Sequence, residues 1–279
     1  MRVAIPHSAF RIPHWKVGIR PGSSYFPWMQ TEIPNELPPA LPPELPERGW
    51  QLEEILLLGA GLLGSLALGM MATQALNHYG AHLNIAQRKF GSFVISNIFF
   101  QGATLLLTHF FLRRHGTSWS DFLGWRKPRL KRTLLFGLVT AVLVVVGADL
   151  LIRISTALLR FIQETPEIQP TIQVLRVSVT PGQRILFGFA AIVLAPMAEE
   201  ILFRGILYRY LKQIIHPHFA VVGSSLLFGF IHGNLMALVP LSFVGVVFAL
   251  LYDKTDNLLA PMAAHACFNA INFVGYLIT

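Results

Sequence analysis

Two adjacent carboxylates, Glu199 and Glu200, stand in an apolar stretch with Arg204 four residues after the second. Phe228 and His232, four apart, and His265 and Asn269, also four apart, are two further polar interruptions of apolar runs. Ionisable groups inside membrane-length apolar segments cost about 2.5–3.5 kcal/mol each on insertion scales and mark function. Glu200 and Arg204 share a helix face and can neutralise each other. Glu199 points about 100° away from Glu200. Ala195 and Phe203, four residues to either side of it, are apolar, so its partner must come from another helix. A carboxylate with two imidazoles can hold Zn²⁺ and leave one position for water; here the set is Glu199, His232 and His265. Without a metal, Glu199 can act as general base on a water that His232 orients, and the Asn269 amide beside His265 suits a developing oxyanion. Both routes bring water to a peptide carbonyl.

The elements that must position these groups are membrane helices. Of 279 residues, 53% are hydrophobic and 13% charged, about half the charge of a soluble domain. The apolar runs are continuous, without strand-like alternation, and long enough to cross about 30 Å of hydrocarbon as helix. The sequence predicts an all-α, polytopic transmembrane bundle of seven to eight helices. The spans run over 55–76, 91–112, 133–152, 185–215, 219–239, 240–252 and 258–278, with an eighth helix or a re-entrant segment allowed between 154 and 180. Residues 1–50 hold ten of the 18 prolines and read as a disordered, polyproline-like tail; 51–279 form the membrane domain. Pro196, one turn before Glu199, is expected to kink its helix.

The net charge of +8 gathers beside the spans, where it orients the chain and meets anionic lipid, so no nucleic-acid partner is expected. Arg113, Arg114, Arg126, Lys127, Arg129, Lys131 and Arg132 against the single acid Asp121 mark the loop after the second span as cytoplasmic. The N-terminus then lies inside as well. Arg153, Arg160, Arg176 and Arg184 fall on the far side and fit this scheme poorly. Counting from the turn at His216, Glu199 lies 17 residues before it and His232 16 after, which brings both to a similar depth. Any one such group is accounted for by a helix–helix hydrogen bond; three clusters on neighbouring spans point to one polar chamber, opening toward the cytoplasm. His78, His82, His109, His216 and His218 read as interfacial, and Asp149 as a helix contact. The single Cys267 excludes an internal disulfide and reads as packing.

The ordered set Glu199-Glu200 with Arg204, Phe228 with His232, and His265 with Asn269 resembles the CPBP family of intramembrane proteases, which includes type II CAAX prenyl endopeptidases and bacteriocin-processing, lysostaphin-resistance-like proteins. The resemblance covers about 185–275. It implies a helical bundle in the plasma membrane that cleaves a peptide or protein presented at the bilayer, typified by cleavage after a prenylated Cys. It also implies that Glu199 activates water with His232, that His265 and Asn269 support the oxyanion, and that Glu200, Arg204 and Phe228 support the site or touch substrate. The family is described both as metal-dependent and as using a glutamate mechanism. Two other readings stay open, a proton-coupled transporter and a non-catalytic binding or immunity protein that uses the same pocket. No His-Glu-x-x-His is present, and Gly223-Ser224-Ser225 lacks the Gly-x-Ser-x-Gly context of a serine peptidase.

Overall fold

The computed structural model describes residues 49–161 and 180–278. The Pro-rich tail, apart from its last two residues, and most of the expected re-entrant stretch, with Arg176, lie outside them. Within these residues the chain forms eight helices and no strand. In chain order they are α1 (Leu52–Tyr79), α2 (Ile85–Arg114), the short α3 (Trp119–Leu123), α4 (Leu130–Phe161), α5 (Pro181–Ile214), α6 (Pro217–Phe230), α7 (Leu235–Thr255) and α8 (Leu259–Ile278). α1, α2, α4, α5 and α7 are long and apolar enough to cross a membrane. Large apolar side chains such as Leu57, Leu63, Leu143, Ile185 and Phe230 are largely exposed on the outside of the bundle. That is the surface of an integral membrane protein, since hydrocarbon, unlike water, imposes no cost on them.

Local chemistry sets the helix starts. Reciprocal capping boxes open α1 (Gln51 with Glu54), α2 (Asn84 with Gln87) and α5 (Thr180 with Gln183, followed by Pro181). α3 is capped by Ser118 and ends at Gly124, whose φ of +80° is left-handed. A Cβ there would lie 2.8 Å from the Asn257 side chain, which donates to the Gly124 carbonyl. Glycine is therefore required twice over at this position, by backbone and by space. α4 buries Thr133, Gly137, Ala141, Val144 and Ala148, a stripe at helical spacing turned toward α7 and α8. Gly137 lets α4 approach so closely that a Cβ would sit 2.5 Å from the Ala260 carbonyl of α8.

Two helices are not regular. α2 widens to i→i+5 bonding over Ile98–Gly102, and the Phe99 carbonyl there accepts from Ser65 of α1 at 2.6 Å. α5 widens twice, over Ala190–Leu194 and Ile201–Tyr208, with Pro196 between. Proline lacks the donor and crowds the preceding turn, and wide turns accommodate both effects. The expected disturbance near Glu199 is therefore present.

One expected boundary is wrong. α6 ends at Phe230, and the chain turns through His232 and Gly233 (φ +59°) to the N-cap Asn234 of α7. Pro240 lies inside α7 rather than at its start, and His232 sits in a turn rather than in mid-helix. Fourteen residues make α6 about 21 Å long, short of a full crossing.

The ends of the bundle differ in charge. α2, α5 and α7 finish, and α1, α4, α6 and α8 begin, at the end that carries Arg113–Arg114, the 126–132 cluster, Lys212 and Lys254. Ion pairs tie this basic end together: Lys212 to Asp253 at 2.6 Å, Lys127 to Asp256, and Arg114 to Glu54 at 3.3 Å.

Candidate active site

Glu199 and Glu200 lie on α5 between its two widened segments. Glu200 is fully buried, and Arg204 one turn later is nearly so. Arg204 donates to Glu200 Oε1 at 2.8 Å and to the Gly245 carbonyl of α7 at 3.0 Å. Its guanidinium lies 4.6 Å from the Phe228 ring centroid and 5.4 Å from that of Phe248. His265 Nδ1 lies 2.8 Å from the same Glu200 oxygen. A buried ion pair repays its desolvation only when such extra bonds are made. The pair expected from four-residue spacing is present, then, and it extends through His265 to α8 and through Gly245 to α7.

Glu199 points about a quarter-turn away from Glu200, as the 100° offset requires. Its Oε2 lies 3.9 Å from His232 Nε2 and 3.8 Å from His265 Nε2. The carboxylate and both imidazoles, distant in sequence, thus converge on one point, Glu199 and His232 at the similar depth that counting predicts. That oxygen is buried and has no hydrogen-bond partner among the described residues. The ring of His232 is fixed by a 2.7 Å contact from Nδ1 to the Phe228 carbonyl. A carbonyl only accepts, so Nδ1 donates, and Nε2 is the ring nitrogen turned toward Glu199. Phe228, 1% exposed, packs edge-on against His232 at 5.0 Å and His265 at 5.9 Å; it holds the two rings apart and covers Arg204. Asn269 donates to the Ala191 carbonyl of α5 at 2.7 Å, at the first widened segment. Its amide binds α8 to α5 beside the cluster.

Two cavities meet at Glu199. One, of about 450 Å³, is bordered by Glu199, His232, His265 and Asn269 and continues between α4, α7 and α8 past Val244, Phe268 and Phe273. The other, of about 620 Å³, lies between α2 and α5 and shares Ala191, Ala195 and Glu199 with the first. Both extend away from the basic end: the first reaches Ile152 and Tyr276, the second Asn77 and Arg88. The expectation that the chamber opens at the same end as the 113–132 loop is therefore not met. Counting residues from turns gives depth but not direction, and the early end of α6 leaves space on the other side.

The sequence raised Glu199, His232 and His265 as a candidate metal set, and Glu199 Oε2 lies 3.8–3.9 Å from both imidazole Nε2 atoms. Among the described residues no three His, Cys, Asp or Glu side chains are arranged to hold a metal ion. Sequence reasoning missed Gly245, Phe248 and Ala191, which anchor the cluster through a carbonyl, a ring and a carbonyl. None is ionisable, so a search for charged groups in apolar runs passes over them.

Residues 181–271 match the family described as type II CAAX prenyl endopeptidase Rce1-like, and every residue of the three motifs lies within that range. A protein of Bacillus subtilis (strain 168) named "Putative membrane peptidase YdiL" is 35% identical over 77 residues, 28% of this chain and 32% of that protein. The match thus spans about a third of the relative's length. No solved structure matches. The resemblance to the CPBP proteases read from the motifs is borne out over the four-helix segment α5–α8.

Proposed function

We propose that this protein is an intramembrane endopeptidase in which Glu199 is the general base. The observation that carries this reading is the buried, unpartnered Glu199 Oε2 facing Nε2 of His232 across 3.9 Å. In the proposed resting state the His232 proton sits on Nδ1, and two acceptors facing each other call for a donor between them. A water about 2.8 Å from each atom fits the gap, and the adjoining cavity leaves room for a peptide. Water attacks the carbonyl carbon as one of its protons passes to Glu199 and His232 holds the other. The carbonyl electrons move to oxygen, where Asn269 and His265, the latter held through Nδ1 by Glu200, stand to support the developing charge. The C–N bond then breaks, and Glu199 returns its proton to the leaving amine. Water is consumed, and an acid and an amine are released.

The apolar walls at Val244, Phe268 and Phe273 suit an apolar or lipid-bearing flank of the substrate, as the likeness to prenyl endopeptidases suggests. The test is hydrolysis of lipidated and unlipidated peptides by the full chain in proteoliposomes, read by mass spectrometry, with Glu199→Gln alongside and with a chelator arm. Cleavage lost in the variant is expected. Peptides bound but not cut by the wild type would move the reading to a binding protein, and proton-coupled flux without cleavage would move it to a transporter.

A further inference from the structure

The cavity between α2 and α5 lies largely outside residues 181–271, the stretch that matches the Rce1-like family, and its wall on α2 is polar. Arg88, Ser92 and Ser96 follow one another at four-residue spacing, as do Lys89, Phe93, Asn97 and Gln101, and all seven border the cavity. Side chains four apart line one helix face, so the polar groups form a stripe from the N-terminal turn of α2 to the level of Glu199. Gln101 is 8% exposed, and its Oε1, like Asn97 Oδ1, is buried without a partner among the described residues. Buried amide oxygens left unbonded indicate an occupant that donates. At the other end Arg88 and Lys89 form no ion pair among the described residues.

We propose that this cleft is a second substrate subsite that takes the carboxylate-bearing end of the peptide. Main-chain N–H groups of the peptide meet Asn97 and Gln101, and its terminal carboxylate meets Arg88 and Lys89. The charge fixes the direction: the C-terminal product segment lies in the cleft, and the flank on the amino side of the scissile bond lies in the apolar cavity. Glu199, shared by both cavities, stands at the junction. From Gln101 to Arg88 the helix rises about 20 Å, which an extended peptide covers in about five to six residues. An anionic lipid headgroup also suits two cations, but acyl chains have no use for a polar stripe leading inward from them.

The subsite rests on the proposed peptidase reading, and the experiment separates the two. A dansyl decapeptide with an S-farnesyl cysteine at its fifth position is made as free acid and as C-terminal amide. Binding to full-length Glu199→Gln protein in nanodiscs is followed by fluorescence anisotropy, and hydrolysis by the wild type by mass spectrometry. The acid is expected to bind about tenfold more tightly than the amide. Arg88→Gln/Lys89→Gln, added to Glu199→Gln, should abolish that difference and leave amide binding unchanged. Equal binding of acid and amide, binding of neither, or an equal loss for both in the double variant overturns the subsite. If acid and amide bind alike while the variant loses retention of phosphatidylglycerol, the two cations belong to a lipid headgroup instead. Carboxylate-dependent binding without hydrolysis would leave the subsite standing and remove the peptidase.

Discussion

The two halves of the bundle are built on different rules. In the best apolar window of α5, 39% of residues are buried, and in that of α7, 44%; α1 and α2 reach only 17% and 6%. The α5–α8 half closes on itself through bonds that need each other: Arg204 to Glu200 and Gly245, His265 to Glu200, Asn269 to Ala191. The α1–α2 half is joined mainly by apolar contact, by one hydroxyl, Ser65 to Phe99, and at its basic end by Glu54 with Arg114 and His115, and between it and α5 lies open, polar space. The contrast suits the proposed hydrolysis, in which one half holds charges at fixed distances and the other leaves polar space for a chain to enter.

The sharpest way to break this contrast is to remove one partner of the buried pair. Arg204→Met should leave Glu200 uncompensated and cost about 3–5 kcal/mol, seen as a large fall in thermal stability in detergent. A fall no greater than that of a surface variant on α1 would show that the rigid half is not held by this network. Next in size, Glu199→Gln should lower peptide hydrolysis by about 10²–10⁴-fold with no loss of stability, because the wild-type oxygen has no partner to lose. A variant that unfolds would make Glu199 a structural residue. Asn269→Ala removes the bond to Ala191 and should cost about 1–2 kcal/mol along with a drop in kcat, measured in the same two assays. Ser65→Ala, on the loose half, should cost about 0.6 kcal/mol or less, and a larger loss would place α1 and α2 within the cooperative unit.

Much of this was legible in the sequence because it depends on spacing within one helix. Glu200 and Arg204 pair as four-residue spacing requires, and the uncharged runs locate α1, α2 and α4, although α2 begins six residues before its expected span, with Arg88 and Lys89 inside the helix, and α4 runs nine residues past its own, through Arg153 and Arg160. The convergence of Glu199, His232 and His265 was recoverable by counting from turns. What was not legible depends on surroundings. The pair Glu200–Arg204 is self-sufficient on paper, so nothing in the spacing says that His265 completes it. The run from 219 to 252 carries no charge, and Pro240 is a louder break than Gly233-Asn234, although the glycine and the Asx cap decide the turn. Pro240 stands in the second turn of α7 and disturbs little there. The opening of the chamber depends on the missing length of α6, which no local pattern records.

That missing length has a consequence for the lipid. A helix of about 21 Å, with Phe219, Val222, Leu226 and Phe230 turned outward, falls about 9 Å short of an average hydrocarbon layer. Acyl chains beside it must shorten or splay to meet it, which is hydrophobic mismatch confined to one flank. Bilayers of short-chain lipid should relieve that strain and those of long-chain lipid should deepen the dimple. Solvent access to His232, in the turn at the end of α6, should accordingly change with the chain length of the host lipid.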